Sequence, residues 1–138
     1  MDSEAPVLYR PSEQAVSSSI MFDYMGWLER QGYGSFNDYD ALHRWSIDAL
    51  EDFWRSVWEY TDVIAERQPD EILDTREMPG AHWFAGARLN FAENLLREAI
   101  RGDADKTALV GLSESRDEIR ISYGELLEQV GALEAYLR

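Results

Sequence analysis

A chain of 138 residues is long enough for one domain with a hydrophobic core. Hydrophobic residues make up 45% of it and aromatic residues 12%, which indicates a packed protein and argues against disorder. The net charge of −14 argues against binding to nucleic acid or to anionic membrane surfaces, and the lack of cysteine excludes disulfides, thiolate catalysis and Cys-ligated metals.

The N-terminal residues do not form a targeting signal. Met1–Ala5 has neither the basic residues nor the apolar run of a signal peptide. No apolar stretch in the sequence approaches the ~20 residues that a membrane-spanning helix needs. We therefore expect a cytoplasmic protein.

The first predicted helix follows an extended lead-in over residues 1–11. Ser12 can cap it, and Gly32 can end it just after Gln31. Its apolar residues recur at helical spacing: Val16, Ile20, Tyr24, Trp27 and Leu28. A second, short helix is predicted over Asp38–Arg44.

Ser46 is predicted to cap a third helix, which ends near Thr61. One stripe of this helix is apolar and contains Ile47, Leu50, Trp54, Val57 and Trp58. A polar connection over residues 62–70 follows, and Glu71–Thr75 is predicted as a short extended segment.

The middle of the chain is predicted as a structured loop followed by a helix. The loop covers Met78–Gly86, and the helix runs from Asn90 to Arg101 until Gly102 ends it. The residues expected to face inward are Leu89, Ala92, Leu96 and Ile100.

The last third of the sequence changes to a β pattern. A buried strand is predicted over residues 107–112 and a half-exposed strand over residues 118–121, with a turn between them. Ser122 and Glu125 have the spacing of a capping box, so a helix is predicted to start there. Its apolar face contains Leu126, Val130, Leu133 and Leu137. The predicted fold is thus mainly α, followed by a β-hairpin and a helix.

The polar residues do not form a recognisable catalytic or metal-binding pattern. The carboxylate pairs Asp38/Asp40 and Glu51/Asp52 lie where a solvated surface is expected. His43 and His82 have no metal-ligand spacing, and no nucleophile elbow or phosphate-binding glycine loop is present. We therefore predict no catalytic, cofactor-binding or metal-binding residue in this chain.

Two readings stay open for the aromatic residues. The loop around Trp83 and Phe84 is either a ligand-facing loop or a packed brace between helical segments, and the brace is favoured. The tryptophans form either a ligand cage or a core. Since Trp27, Trp45, Trp54 and Trp58 fall on apolar helix stripes, the core is favoured.

An ordered set of motifs resembles the N-terminal region of the acetoacetyl-CoA synthetases, in the adenylate-forming acyl-CoA synthetase superfamily. Phe36–Ser46 has the spacing F-x-D-Y-x-x-L-x-x-W-S. The other matching segments are Tyr9–Ser12, Phe53–Trp58, Met78–Ala81, Trp83–Leu96 and Ile121–Leu126. Acetyl- and propionyl-CoA synthetases share part of this set. Ala87 and the Leu-Leu-Arg that follows Asn94, together with Met78–Ala81, favour the acetoacetate type.

The resemblance implies a ligase that forms an acyl-adenylate from ATP and then transfers the acyl group to CoA, with Mg²⁺ assisting. It implies that residues 1–104 are a helical N-terminal domain and that residues 105–138 begin an α/β adenylation domain. The family's phosphate-gripping loop and catalytic lysine would lie beyond Arg138. We therefore expect a truncated chain that is inactive alone and binds no cofactor, whose partner is the rest of the adenylation domain. The alternatives are another short-chain acyl-CoA synthetase and a free-standing helical interaction module.

Overall fold

The computed structural model describes residues 8–138. Within them, six α-helices and two two-stranded antiparallel sheets follow one another along the chain. The helices are α1 (Glu13–Ser17), α2 (Ile20–Gln31), α3 (Tyr39–Asp48), α4 (Leu50–Tyr60), α5 (Phe91–Arg101) and α6 (Tyr123–Leu137). The strands are β1 (Glu71–Leu73), β2 (Trp83–Ala85), β3 (Thr107–Gly111) and β4 (Ile119–Ser122). The predicted fold class, mainly α with a later hairpin and helix, is confirmed.

The chain divides into two compact units. The first consists of Met1–Val63 and Glu71–Ala85, and the second of Ile64–Asp70 and Gly86–Arg138. The predicted boundary near residue 104 concerns the domains of a whole enzyme, so it stays a prediction. The expected lead-in over residues 1–11 lies largely outside the described residues.

In the first unit, the helix predicted from Ser12 to Gln31 is two helices. Ser12 caps α1 by accepting the Ala15 N–H (3.2 Å), and Ser19 caps α2 by accepting the Phe22 N–H (3.1 Å). The hydroxyls of Ser18 and Ser19 also donate to carbonyls of the preceding turn. Serine side chains compete in this way for backbone groups, which explains the break. Gly32 ends α2 as predicted, in the left-handed region (φ 83°).

The prediction that Ser46 caps a helix is wrong. Ser46 lies inside α3, and its hydroxyl donates to the His43 carbonyl (2.7 Å). Asp38 is the cap instead, because its carboxylate accepts the Ala41 N–H (2.8 Å) at the positive end of the helix dipole. The next helix, α4, starts at Leu50 without a side-chain cap and ends at Tyr60 with Thr61 as its C-cap residue, which agrees with the expected end near Thr61.

The core of the first unit lies between α2, α3 and α4. Its buried members are Tyr24, Leu28 and Leu42. Half-buried aromatic rings surround them in edge-to-face and stacked contacts, including Trp27, Trp45 and Phe53. Trp54 is exposed at the edge of this core. The contacts of Trp27 and Trp45 therefore agree with the prediction that the tryptophans form a core and not a ligand cage.

The two strands of the first unit form a small antiparallel sheet. Glu71 pairs with Ala85 and Leu73 with Trp83, and Ile72 is buried. The extended segment predicted from Glu71 is therefore present and shorter than expected. The segment predicted as a loop over residues 78–86 contains β2, which is too short to show period-two alternation in the sequence.

In the second unit, Asn90 caps α5 through the Glu93 N–H (3.2 Å). The Asn94 amide accepts the Ile64 N–H and donates to the Ile64 carbonyl, both at 2.8 Å. Leu96 is buried as predicted, but the prediction that Leu89 and Ile100 face inward is wrong, because both are exposed. The helix contacts α6, which covers only part of its apolar stripe.

The hairpin of β3 and β4 has the predicted antiparallel pairing, with Leu109 opposite Ile121 and Gly111 opposite Ile119. The prediction of a buried β3 is wrong, since Leu109 and Val110 are about half exposed. A two-stranded sheet with a helix on one side cannot bury both faces. The capping box is confirmed: Ser122 accepts the Glu125 N–H, and the Glu125 carboxylate accepts the Ser122 N–H (2.8 Å).

Candidate functional site

The segment from Asp74 to Ala85, called here the aromatic loop, belongs to the first unit and is closed at its base by one side chain. The Asp74 carboxylate accepts the His82 N–H at 2.8 Å and lies 2.7 Å from Nδ1 of the same residue. The Asp74 N–H donates to the His82 carbonyl, which continues the β1–β2 pairing. The contacts of its carboxylate with His82 hold the pKa of Asp74 below its usual value, chiefly through the hydrogen bond from the His82 backbone N–H.

An ion pair with α4 holds the middle of the aromatic loop. Arg76 makes a bidentate salt bridge with Glu51, with Nε 3.2 Å from Oε1 and Nη2 2.5 Å from Oε2. The hydrogen bond from Arg76 lowers the pKa of Glu51. Both side chains are substantially exposed, so the pair fixes geometry more than it adds stability.

The aromatic residues of the loop stack against α4. The Trp83 ring meets Trp54 edge to face, with centroids 5.6 Å apart. Phe84 stacks on Trp58 at 4.8 Å and is held at a positive φ of 51°, which is unusual for a residue with a side chain. Trp83 is 42% exposed. These contacts favour the brace over the ligand-facing reading.

The glycine that follows the loop belongs to the second unit and has a steric role there. Gly86 has φ 78°, and a Cβ atom at this position would overlap the Asp70 carboxylate. Asp70 in turn accepts a hydrogen bond from Arg67 (2.7 Å). The Arg67 backbone pairs with that of Arg88 in both directions, at 3.2 and 3.0 Å. A side chain at residue 86 would therefore disturb a short bridge between two segments.

The structure gives the candidate polar residues local roles. Asp38 caps α3, Glu51 binds Arg76, and His43 stacks on Tyr39 with ring centroids 5.9 Å apart. Among residues 8–138, no group of three or more His, Asp or Glu is placed to hold a metal ion. The statement that the chain contains no catalytic, cofactor-binding or metal-binding residue stays a prediction.

Sequence reasoning missed the anchors of the aromatic loop. Asp74, Arg76 and Glu51 carry no local motif, because their partners are set by the pairing of β1 with β2 and by the approach of α4. The only available signal was the extended segment starting at Glu71, whose strand partner was unknown. Once that partner is fixed, Asp74 and His82 fall opposite each other.

Comparison with known proteins shows which proteins this chain is similar to. The model of the acetyl-coenzyme A synthetase N-terminus matches residues 39–95. The chain is 38% identical to an acetoacetyl-coenzyme A synthetase from Rhizobium meliloti, with 100% of this chain and 20% of the relative covered. It is 33% identical to a malonamoyl-CoA synthetase from Penicillium aethiopicum, over 96% of this chain and 18% of the relative.

A solved structure agrees with the sequence matches. The acetoacetyl-CoA synthetase from Streptomyces lividans superposes with a TM-score of 0.83 at 37% identity, over 97% of this chain and 21% of that one. The chain matches the N-terminal region of the acetoacetyl-CoA synthetases. It spans about one fifth of the length of these acetoacetyl-CoA synthetases, and the match lies in their N-terminal part.

The motifs that an acetoacetyl-CoA synthetase N-terminal region shares with this chain have packing roles here. In the segment Phe36–Ser46, Leu42 is buried and the Phe36 and Trp45 rings are 4.9 Å apart. In the Trp-Phe-x-Gly segment, both rings contact tryptophan rings of α4, and Gly86 has no Cβ atom that would overlap the Asp70 carboxylate. Within the described part of the chain, no helix is long and apolar enough to cross a membrane.

Proposed function

We propose that this chain is the N-terminal part of an acetoacetyl-CoA synthetase, which converts acetoacetate, ATP and CoA into acetoacetyl-CoA, AMP and pyrophosphate. One observation carries the proposal. Sequence and fold correspond to the Streptomyces lividans enzyme over 97% of this chain at 37% identity. ATP, Mg²⁺ and CoA are the ligands of the whole enzyme, and the residues that bind them are assigned to the rest of it.

The role of the described residues in this proposal is structural support. The aromatic loop makes ring contacts and ion pairs with α4. Unit two leaves apolar side chains exposed on the hairpin and on α6, among them Leu109, Val110, Leu133 and Leu137. Such a surface favours burial against another part of the protein. The partner proposed for it is the remainder of the adenylation domain, which residues 105–138 begin.

An activity assay tests the proposal. The full-length polypeptide and the 138-residue chain are each incubated with ATP, Mg²⁺, CoA and acetoacetate, and AMP release is followed. We expect turnover by the full-length polypeptide and none by the chain above a blank without protein. The donors and positive charges that stabilise acyl transfer are proposed to lie outside the chain. Turnover by the chain alone would refute the supporting role.

A second candidate is a synthetase for a different short acid. The likeness to a malonamoyl-CoA synthetase and the match to the acetyl-CoA synthetase N-terminus both support it. Replacing acetoacetate by malonamate, acetate or propionate in the same assay distinguishes these substrates by kcat/KM. A preference above tenfold for one of them over acetoacetate would overturn the acetoacetate assignment.

The third candidate, a free-standing helical module, is distinguished by the gene. The DNA that follows codon 138 encodes the Ser/Thr/Gly-rich phosphate loop if the enzyme proposal is correct, and a stop codon there would favour the module. The cytoplasmic location stays a prediction, which fluorescence microscopy of the tagged full-length polypeptide checks.

A further inference from the structure

The strand β1 and the aromatic loop together form Glu71–Ala85, a segment called here the strap. The strap lies outside the hydrophobic core of the first unit, whose side chains come from α2, α3, α4 and the connection over residues 33–36. Of the described residues 71–85, Ile72 alone is buried. A segment with few buried apolar side chains opens at a lower free energy than the core beside it. We therefore expect this core to stay folded when the strap opens.

Helix α4 has two faces, and the strap meets one of them. Phe53 and Val57 on the other face pack against the core. The strap contacts residues of α4 that are spaced three and four apart: Glu51, Trp54 and Trp58. Residues at this spacing share one side of a helix. Opening of the strap therefore uncovers one stripe of α4 and leaves the contacts of its core face in place.

The contacts between the strap and α4 are individually weak. The side chains of the Arg76–Glu51 ion pair are 55% and 39% exposed, and exposed ion pairs contribute little because solvent screens them. The edge-to-face contact of Trp83 with Trp54 lies at the surface, since both rings are partly exposed. Apart from the burial of Ile72, the strap is thus held by contacts whose loss costs little free energy.

Backbone strain at Phe84 favours opening. Its φ of 51° lies in the left-handed region, where the Cβ atom of a residue with a side chain is crowded by the following carbonyl. The stack of the Phe84 ring on Trp58, with centroids 4.8 Å apart, opposes this strain while the strap is closed. A strained conformation persists only while its surroundings hold it, so release of the ring from α4 allows the backbone to relax.

The two legs of the strap are tied together at Asp74 and His82. The Asp74 N–H donates to the His82 carbonyl, and the His82 N–H donates to the Asp74 carboxylate. The pairing of β1 with β2 continues this tie, with Leu73 opposite Trp83. Because release of one leg from α4 removes the partners of the other leg, the opening is cooperative.

We propose that the strap opens as one unit while the core of the first unit stays folded, so that it alternately covers and uncovers Trp54 and Trp58 on α4. Cooperative openings below the free energy of global unfolding are a general property of such weakly buried segments. The motion belongs to the first unit and is independent of the enzyme activity proposed above.

Amide hydrogen exchange of the full-length polypeptide tests the proposal, with single residues resolved by mass spectrometry and electron-transfer fragmentation. The Asp74 and His82 amides are expected to have the same protection factor, because one opening exposes both. Leu28 in α2 and Val57 in α4 are expected to exchange at least about tenfold more slowly, because their exposure requires the core to unfold.

Removal of the ion pair tests whether the strap opens as one unit. Arg76→Gln is expected to speed exchange at Asp74 and at His82 by the same factor, about two- to fivefold, although neither amide bonds to Arg76. The matched control is Arg120→Gln, which breaks a similarly exposed ion pair in the second unit and is expected to leave exchange of the strap unchanged.

Two variants of Phe84 separate strain from the loss of a ring. Phe84→Ala removes the stack and keeps the unfavourable φ, whereas Phe84→Gly removes both, because glycine adopts a positive φ readily. Exchange of the strap is therefore expected to be severalfold faster in Phe84→Ala than in Phe84→Gly. Hydroxyl-radical footprinting is a second measurement: Phe84→Ala is expected to increase the modification of Trp54 and Trp58 and to leave that of Trp27 in the core unchanged.

Three results would overturn the proposal. One is equal protection of the strap and of the core helices, which would mean that the strap opens only in global unfolding. Another is a change at Asp74 without an equal change at His82 in Arg76→Gln, which would mean that the two legs fray separately. The third is exchange in Phe84→Gly as fast as in Phe84→Ala, which would refute strain as a cause of opening. Circular dichroism confirms that the variants used are folded.

Discussion

The hydrogen bond between Tyr24 and Ser56 is the clearest place to test the core of the first unit. Their oxygens are 2.6 Å apart, and Ser56 is 0% exposed. The Ser56 hydroxyl donates its proton to the Phe53 carbonyl (2.7 Å), so the Tyr24 hydroxyl must donate to Ser56. Burial raises the pKa of Tyr24.

This order of donors predicts unequal costs for two small substitutions. Ser56→Ala leaves the Tyr24 O–H buried without an acceptor, which costs about 1–3 kcal/mol in free energy of unfolding. Tyr24→Phe leaves Ser56 still donating to Phe53, so only the net worth of one bond is lost, about 0.5–1.5 kcal/mol. In the double variant no unpaired hydroxyl remains, and its cost is expected to be less than the sum.

Urea unfolding of the full-length polypeptide and its variants, followed by tryptophan fluorescence, measures these differences. Ser46→Ala is the control, because Ser46 makes the same bond to a carbonyl three residues earlier without a partner on another helix. Its expected effect is within about 0.5 kcal/mol. If Tyr24→Phe cost more than Ser56→Ala, or if the two costs added without coupling, the donor assignment would be refuted.

Two further predictions concern the edges of this unit. In the full-length polypeptide, Trp83→Ala is expected to cost about 2 kcal/mol of unfolding free energy. This is less than the cost of about 3–5 kcal/mol for a fully buried ring, because Trp83 is 42% exposed. Under the proposed synthetase function, KM for ATP is expected to stay unchanged. Unchanged stability with a tenfold higher KM would instead make the aromatic loop a ligand site. Burial and the hydrogen bond to Glu59 raise the pKa of Tyr33 to about 12. The neutral Tyr33 form therefore stabilises the fold fully below the unfolded pKa near 10, and this contribution is lost as pH rises through about 12. Tyr33→Phe is expected to flatten unfolding free energy against pH in this window, and an unchanged slope would contradict the assignment.

The sequence predicted helix starts and ends correctly where a local signal had a single interpretation. The Ser122–Glu125 capping box and the positive φ at Gly32 were both found, because each depends on a few neighbouring residues. A serine alone did not predict where a helix starts. Ser46 and Ser19 have the same capping chemistry, yet one lies inside α3 and the other starts α2, because Asp38 already provides the cap for α3.

The exposed residues were harder to predict, because burial depends on what covers a face. Periodicity identified the stripe of α5 that contains Leu96, but it could not show that Leu89 and Ile100 are left uncovered. The strand β3 has the apolar content of a buried strand, yet it pairs with β4 alone. Similarly, Asp74 and Arg76 became recognisable as anchors only after their partners were known.

The path of the chain through its two units limits how this protein can be divided. The chain passes from one unit to the other at residues 63–64, 70–71 and 85–86. Neither unit is therefore encoded by one continuous stretch of the gene, and a truncation after residue 63 removes both strands of the first unit. A recombination event that transfers intact structure must carry both units together. Such interlaced connectivity favours inheritance of this region as a single genetic block.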